Sequence, residues 1–200
     1  MKKIILLLLT VLMSLSACAK APKPEDALKT FLDDYITKET MTFSDYFEGD
    51  SPLTNENMLG NQELTAELSA KFFAIYKHFT YEIGDATLSE DKKSATVSIV
   101  VTNYDGTTLY QVWMEDYITQ AMEFGMSHPE ATQDDFNEIA ISTLTTAVDA
   151  LVDGKEYTVD VKMVYVDKVW KLVGGDDNFE LISAMSGGVL QSIKDLSNME

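Results

Sequence analysis

Cysteine occurs once in 200 residues and histidine twice. A lone thiol excludes an internal disulfide, so stability must come from burial, which a 46% hydrophobic composition makes feasible. With His78 and His128 on separate segments, the usual nucleophile–base pairs and tetrahedral zinc sets lack members. Positive charge is also scarce: 15 Lys plus Arg stand against 33 Asp plus Glu, a formal net charge of −18 at pH 7. Such an excess repels phosphate backbones and anionic headgroups, which argues against nucleic acid as a partner. Solubility accounts for the charge more simply than a specific cationic partner does. Past the N-terminus no apolar run approaches the ~18 residues of a membrane span. A Gly-rich phosphate loop, a repeat of fixed period and low-complexity tracts are likewise missing. Neither a cofactor nor a metal is expected.

What the chain does have begins at its first residues. Lys2 and Lys3 precede an apolar run from Ile4 to Leu12, and small residues then lead to the single cysteine. This is the order of a secretory signal. Leu15-Ser16-Ala17-Cys18 resembles the lipobox of bacterial lipoproteins. That resemblance implies diacylglyceryl transfer to the Cys18 sulfur and cleavage before it, and two acyl chains suffice for stable anchoring. Loss of Lys2 and Lys3 with the signal would take the mature charge to −20. The reading divides the chain into a lipoprotein signal over 1–17, a lipidated tether over 18–24 and one α+β domain over 25–200.

Apolar spacing organises that domain. Ala27, Leu28, Phe31, Leu32, Tyr35 and Ile36 form the stripe of a helix that Pro24 is placed to start. Phe43, Tyr46 and Phe47 suggest a short second helix. A third runs from Glu63 to Phe79, with Leu64, Leu68, Phe72, Ile75 and Phe79 inward and Phe73 and Tyr76 widening the stripe. Leu109, Val112, Trp113, Tyr117, Ala121 and Phe124 mark another helix, ending at Gly125. One more, from about Gln133 to Val152, carries Phe136, Ile139, Ala140, Leu144, Val148 and Leu151 inward.

Two hairpins interrupt these helices. Tyr81 and Ile83 lead through a polar turn to Val97, Ile99 and Val101. A two-residue turn at Asp91-Lys92 would set Ile83 opposite Val100 and put the apolar rows on opposite faces. An odd loop, or a bulge at Gly84, would bring Ile83 opposite Ile99, and one of these is predicted. In the second hairpin Asp167-Lys168 pairs Tyr165 with Trp170 and Met163 with Leu172 without any bulge. The expected fold is α+β, a four-stranded antiparallel sheet from two hairpins covered on one face by several helices.

The lipobox, Pro24-Glu25-Asp26-Ala27-Leu28, the stretch from Phe79 to Asp105, and Val169-Trp170-Lys171-Leu172-Val173 followed by Asp177-Asn178 resemble small lipoproteins of Gram-positive bacteria. Those carry domains of unknown function similar to the nuclear-transport-factor-2-like, cone-shaped fold. The resemblance implies a cone and an address on the outer face of the cell membrane.

Candidate chemistry is sparse. Asp176-Asp177-Asn178-Glu180 lacks the alternating ligands of a calcium loop, and helix capping by Asp176 or Asp177 is the better reading. The aromatic residues are more informative. Trp113 and Tyr117 lie one helical turn apart, and Tyr157, Tyr165 and Trp170 share the covered sheet face, where a cone opens its pocket; these five form the candidate ligand pocket. The leading expectation is a non-catalytic binding domain for an envelope protein or a small apolar ligand. An isomerase- or dehydratase-like enzyme with a pocket carboxylate, or a structural envelope subunit, are the alternatives.

Overall fold

A computed structural model describes residues 22–51 and 65–197. The signal, Leu15-Ser16-Ala17-Cys18, most of the tether and Leu64 lie outside these residues.

Five strands, β1 (Phe47–Glu48), β2 (Thr80–Leu88), β3 (Ser94–Asn103), β4 (Lys155–Val166) and β5 (Val169–Val173), form a sheet in the order β1-β5-β4-β3-β2. The expectation of four antiparallel strands is therefore corrected by one. Beyond the two hairpins, β1 pairs in parallel with β5, Phe47 opposite Leu172 and Glu48 opposite Val173. Two residues carry no periodicity, and Phe43, Tyr46 and Phe47 are spaced as a helix would be. Only a single 3₁₀ turn, Phe43–Asp45, forms there. Phe47 then enters the core edge-on to Phe31, with ring centroids 5.3 Å apart.

The first hairpin takes the bulged register. Ile83 faces Ile99 and Ala86 faces Val97, so β2 spends one residue more than β3 between those pairs, at Gly84-Asp85. That extra residue keeps Tyr81, Ile83, Ala86 and Leu88 on the covered side. In the second hairpin Tyr165 pairs with Trp170 and Met163 with Leu172. Asp167 and Lys168 both hold positive φ, 49° and 70°. These are the two left-handed residues of a type I′ turn, whose twist matches the strands.

Helix α1 (Pro24–Thr37) lies on the covered face with Leu28, Phe31, Leu32 and Tyr35 buried. Pro24 occupies its first turn, where the missing N–H costs nothing. Helix α1 is pinned at both sheet margins: the Tyr81 hydroxyl on β2 donates to Asp33, and the Tyr46 hydroxyl beside β1 donates to Asp34. These carboxylates are held below the usual carboxylate range, Asp33 by Lys29 and then Tyr81, Asp34 by Tyr46 and then Lys38.

A second apolar core stands beside the sheet core. It joins α2 (Ala66–His78), α3 (Leu109–Ser127), α4 (Gln133–Asp149) and Val189 at the start of α6 (Val189–Ser197), through Leu68, Phe72, Tyr76, Trp113 and Leu144. The Thr65 side chain accepts from the Leu68 amide and starts α2 later than the apolar pattern suggests. Thr132 and Asp135 close a capping box that fixes the start of α4. Two expected core positions are on the surface: Phe73 and Val112 are each 47% exposed, because α2 and α3 each bury a narrower stripe than their hydrophobic content allows. The fully buried Asn103 binds across the seam between the cores, reaching Ile75 of α2 and Met185 of α5 (Phe179–Met185).

Candidate functional site

The five aromatic residues of the candidate pocket are divided between the two cores. Trp113 and Tyr117 stack in the helical core with centroids 6.0 Å apart, and Trp113 Nε1 donates to the Ala140 carbonyl at 3.0 Å. They bind α3 to α4. Tyr157 stands at the start of β4 and donates to the Tyr104 carbonyl at 2.7 Å. Tyr165 and Trp170 meet at the other end of the sheet, 5.2 Å between centroids. A single pocket shared by all five is therefore not formed. The sheet is ten residues long at β3, about 30 Å, and separates Tyr157 from the Tyr165–Trp170 pair.

Around Tyr165 and Trp170 the surface is concave. One groove of about 410 Å³ runs between the start of α1 and the tips of both hairpins, walled by Pro22, Pro24, Ala86, Leu88, Tyr165 and Trp170. Lys23, Glu25 and Lys92 stand on its rim. A second groove of about 360 Å³ lies on the other side of Trp170, against Ala27, Tyr46, Val169 and Leu172. Between them Trp170 Nε1 donates to the Pro22 carbonyl at 3.0 Å. The indole thus fixes Pro22, the first described residue, and forms a wall of both grooves.

Local sequence explains why this end is open. The bulge and the β2–β3 turn place Ala86 and Leu88 at the hairpin tip beside the first residues of α1, with Leu88 half exposed, and the tight Asp167-Lys168 turn leaves Val169 half exposed. Pro24 was read from the sequence only as a helix start, and Pro22, Ala86 and Leu88 were not singled out. The signal for the last two was the alternation Ile83, Ala86, Leu88 across a bulge, which places apolar residues at a hairpin tip.

The remaining candidates have ordinary surroundings. His78 Nε2 sits 2.9 Å from Asp153 Oδ2, holding that carboxyl below its usual range, and its ring lies over Tyr104. His128 stacks on Phe124 at 4.2 Å. Among the described residues no group of three or more His, Cys, Asp or Glu is placed to hold a metal ion. Asp176 and Asp177 do not cap a helix: both stand exposed in a 3₁₀ turn, Gly175–Asn178, and Asp177 pairs with Lys162. Asn178 is the working residue of that stretch. It is buried, accepts from the Lys162 amide at 2.8 Å and donates back to the Lys162 carbonyl at 2.9 Å, closing the edge of β4 that β5 is too short to cover. Among the described residues the buried polar side chains are Asn, Ser and Thr, with no carboxylate among them. None of the described helices is long and apolar enough to cross a membrane.

Neither a family model nor a curated protein matches the chain. Among solved structures it is similar to the crystal structure of ycdA from Bacillus subtilis, described as a candidate lipoprotein, with a TM-score of 0.45 and 16% identity. The match covers 86% of this chain and 58% of that one, so the chain spans little more than half the neighbour's length.

Proposed function

We propose that the protein is a lipoprotein anchored through Cys18 to the outer face of a Gram-positive cell membrane, and that its domain is a non-catalytic binding module for an elongated apolar ligand. The observation that carries the reading is the Trp170–Pro22 bond: it puts a 410 Å³ aromatic groove four residues from the predicted acylation site. Four residues reach ~14 Å at most, so the groove would open close to the bilayer surface. Its volume suits a small ligand, and its Tyr165 and Trp170 walls present apolar faces beside the polar Lys23 and Lys92. Support for a cone-like domain comes from α1 lying across the apolar face of the five-stranded sheet. The location of the acids favours binding over catalysis, since Glu25 and Asp26 border the grooves at the rim.

Titration with a fluorescent polyene fatty acid tests this function. Saturable one-to-one binding is expected, weakened at least tenfold by Leu88→Lys, which charges the groove wall at a half-exposed site without cutting into the core. Absence of saturable binding, or equal binding by Leu88→Lys, would overturn the assignment of the groove.

A further inference from the structure

Among the described residues the helical hairpin of α3 and α4 leaves an apolar stripe uncovered. Ile118, Met122 and Met126 follow one another at four-residue intervals on α3 and are 49%, 63% and 84% exposed. The contacts with α4 are made from the opposite side of the same helix, by Trp113 to Ala140 and by Phe124 to Phe136. Neither core needs the stripe, and a contiguous exposed apolar face marks an interaction site more often than it is incidental.

The charge beside this stripe has one sign. From Leu109 to Asp149 the sequence holds eight carboxylates and no lysine or arginine. Two have local roles: Asp149 pairs with Lys71, and Asp135 completes the capping box. Glu115, Asp116 and Glu123 stand exposed on α3 with the stripe, and no described cation neutralises them. Methionine adds adaptability, being unbranched and polarizable, so it moulds to partners of varied shape.

From this we infer that the outer face of α3 is a docking surface for a cationic amphipathic helix, a lysine- or arginine-rich segment with one apolar side. Its apolar anchors would lie along Ile118, Met122 and Met126, as in helix-in-groove recognition, and its cations would meet the flanking carboxylates. A second copy of the chain fits poorly, since it would press two cation-free acidic faces together. An anionic bilayer would be repelled for the same reason. The surface shares no residue with the groove at Trp170, so the two sites stand or fall separately.

The test uses the mature chain from position 18 with Cys18→Ala, in detergent-free buffer. Its probe is a fluorescent amphipathic helix of leucine and lysine, followed by anisotropy. Saturable binding is expected, falling with added salt and weakened about tenfold or more by combined Ile118→Gln, Met122→Gln and Met126→Gln. Combined Glu156→Gln and Asp160→Asn, which removes exposed acids from β4, should leave it unchanged. A leucine–glutamate helix should not bind. Equal affinity in the triple variant would reduce the effect to bulk charge and overturn the inference, as would no binding at all. A dimer of the free protein that the triple variant abolishes would give the face to a second copy and overturn it too. An unchanged thermal melt of the triple variant confirms that the fold survives.

Discussion

Replacing Asn103 by Ala should loosen the seam between the two cores. The Asn103 side chain is fully buried, and its amide donates to the Met185 carbonyl at 2.8 Å and the Ile75 carbonyl at 3.3 Å while its oxygen accepts from the Tyr104 amide at 2.8 Å. Both carbonyls belong to the last turn of their helices, where no intrahelical donor is due. The substitution therefore strands two acceptors and one donor in a buried site. A net bond contributes about 1 kcal/mol and a stranded buried group costs about 1–3 kcal/mol, so with the longer bond discounted the loss is about 3 kcal/mol. At a urea m-value of about 2 kcal/mol/M, that moves the unfolding midpoint down by about 1.5 M at constant m. Asn103→Asp should be as damaging at neutral pH, because it loses both donors and buries a charge. Acid should partly relieve it, since a protonated carboxyl donates again. A loss below about 0.5 kcal/mol for Asn103→Ala would show that the seam does not depend on these hydrogen bonds.

Two further perturbations address the sheet and the cores. Deleting Asp85 removes the bulge and restores the even register, which turns Tyr81 and Ile83 to the outer face; the expected result is rapid proteolysis in the Phe79–Leu88 segment, and unchanged protease resistance would contradict the bulge's role. Burial pushes Tyr35 and Tyr110 up to about 12 and raises Tyr76 and Tyr157 as well. These native tyrosines keep protons that the unfolded chain releases near pH 10, so their stabilisation is complete below that pH and is lost as pH climbs from about 10 towards the folded values. Phenolate absorbance should rise in two stages, the second together with loss of circular dichroism; one reversible stage near pH 10 with the fold intact would contradict it.

How far the sequence discloses this molecule depends on the length of each pattern. The bulge was legible because turn parity and two apolar rows cannot both be satisfied without an odd residue, and Gly84-Asp85 supplies it. The second hairpin was legible for the converse reason, since Tyr165, Met163, Trp170 and Leu172 align without correction. Strand β1 was not, because two residues have no period and a parallel partner more than a hundred positions away leaves no local mark. Asn103 reads as the first residue of a turn, and only the fold brings Ile75 and Met185 to it. Of the candidate pocket, Tyr165 and Trp170 were placed by strand pairing, whereas Trp113 and Tyr117 share their aromatic character but belong to the other core. Residue type alone could not separate the two roles.

Mass spectrometry of the N-terminal peptide of the protein isolated from bacterial membranes tests the proposed anchor at Cys18. The expected chain begins at Cys18 and carries a thioether-linked diacylglycerol. An N-terminus elsewhere, or a free thiol at Cys18, would contradict it.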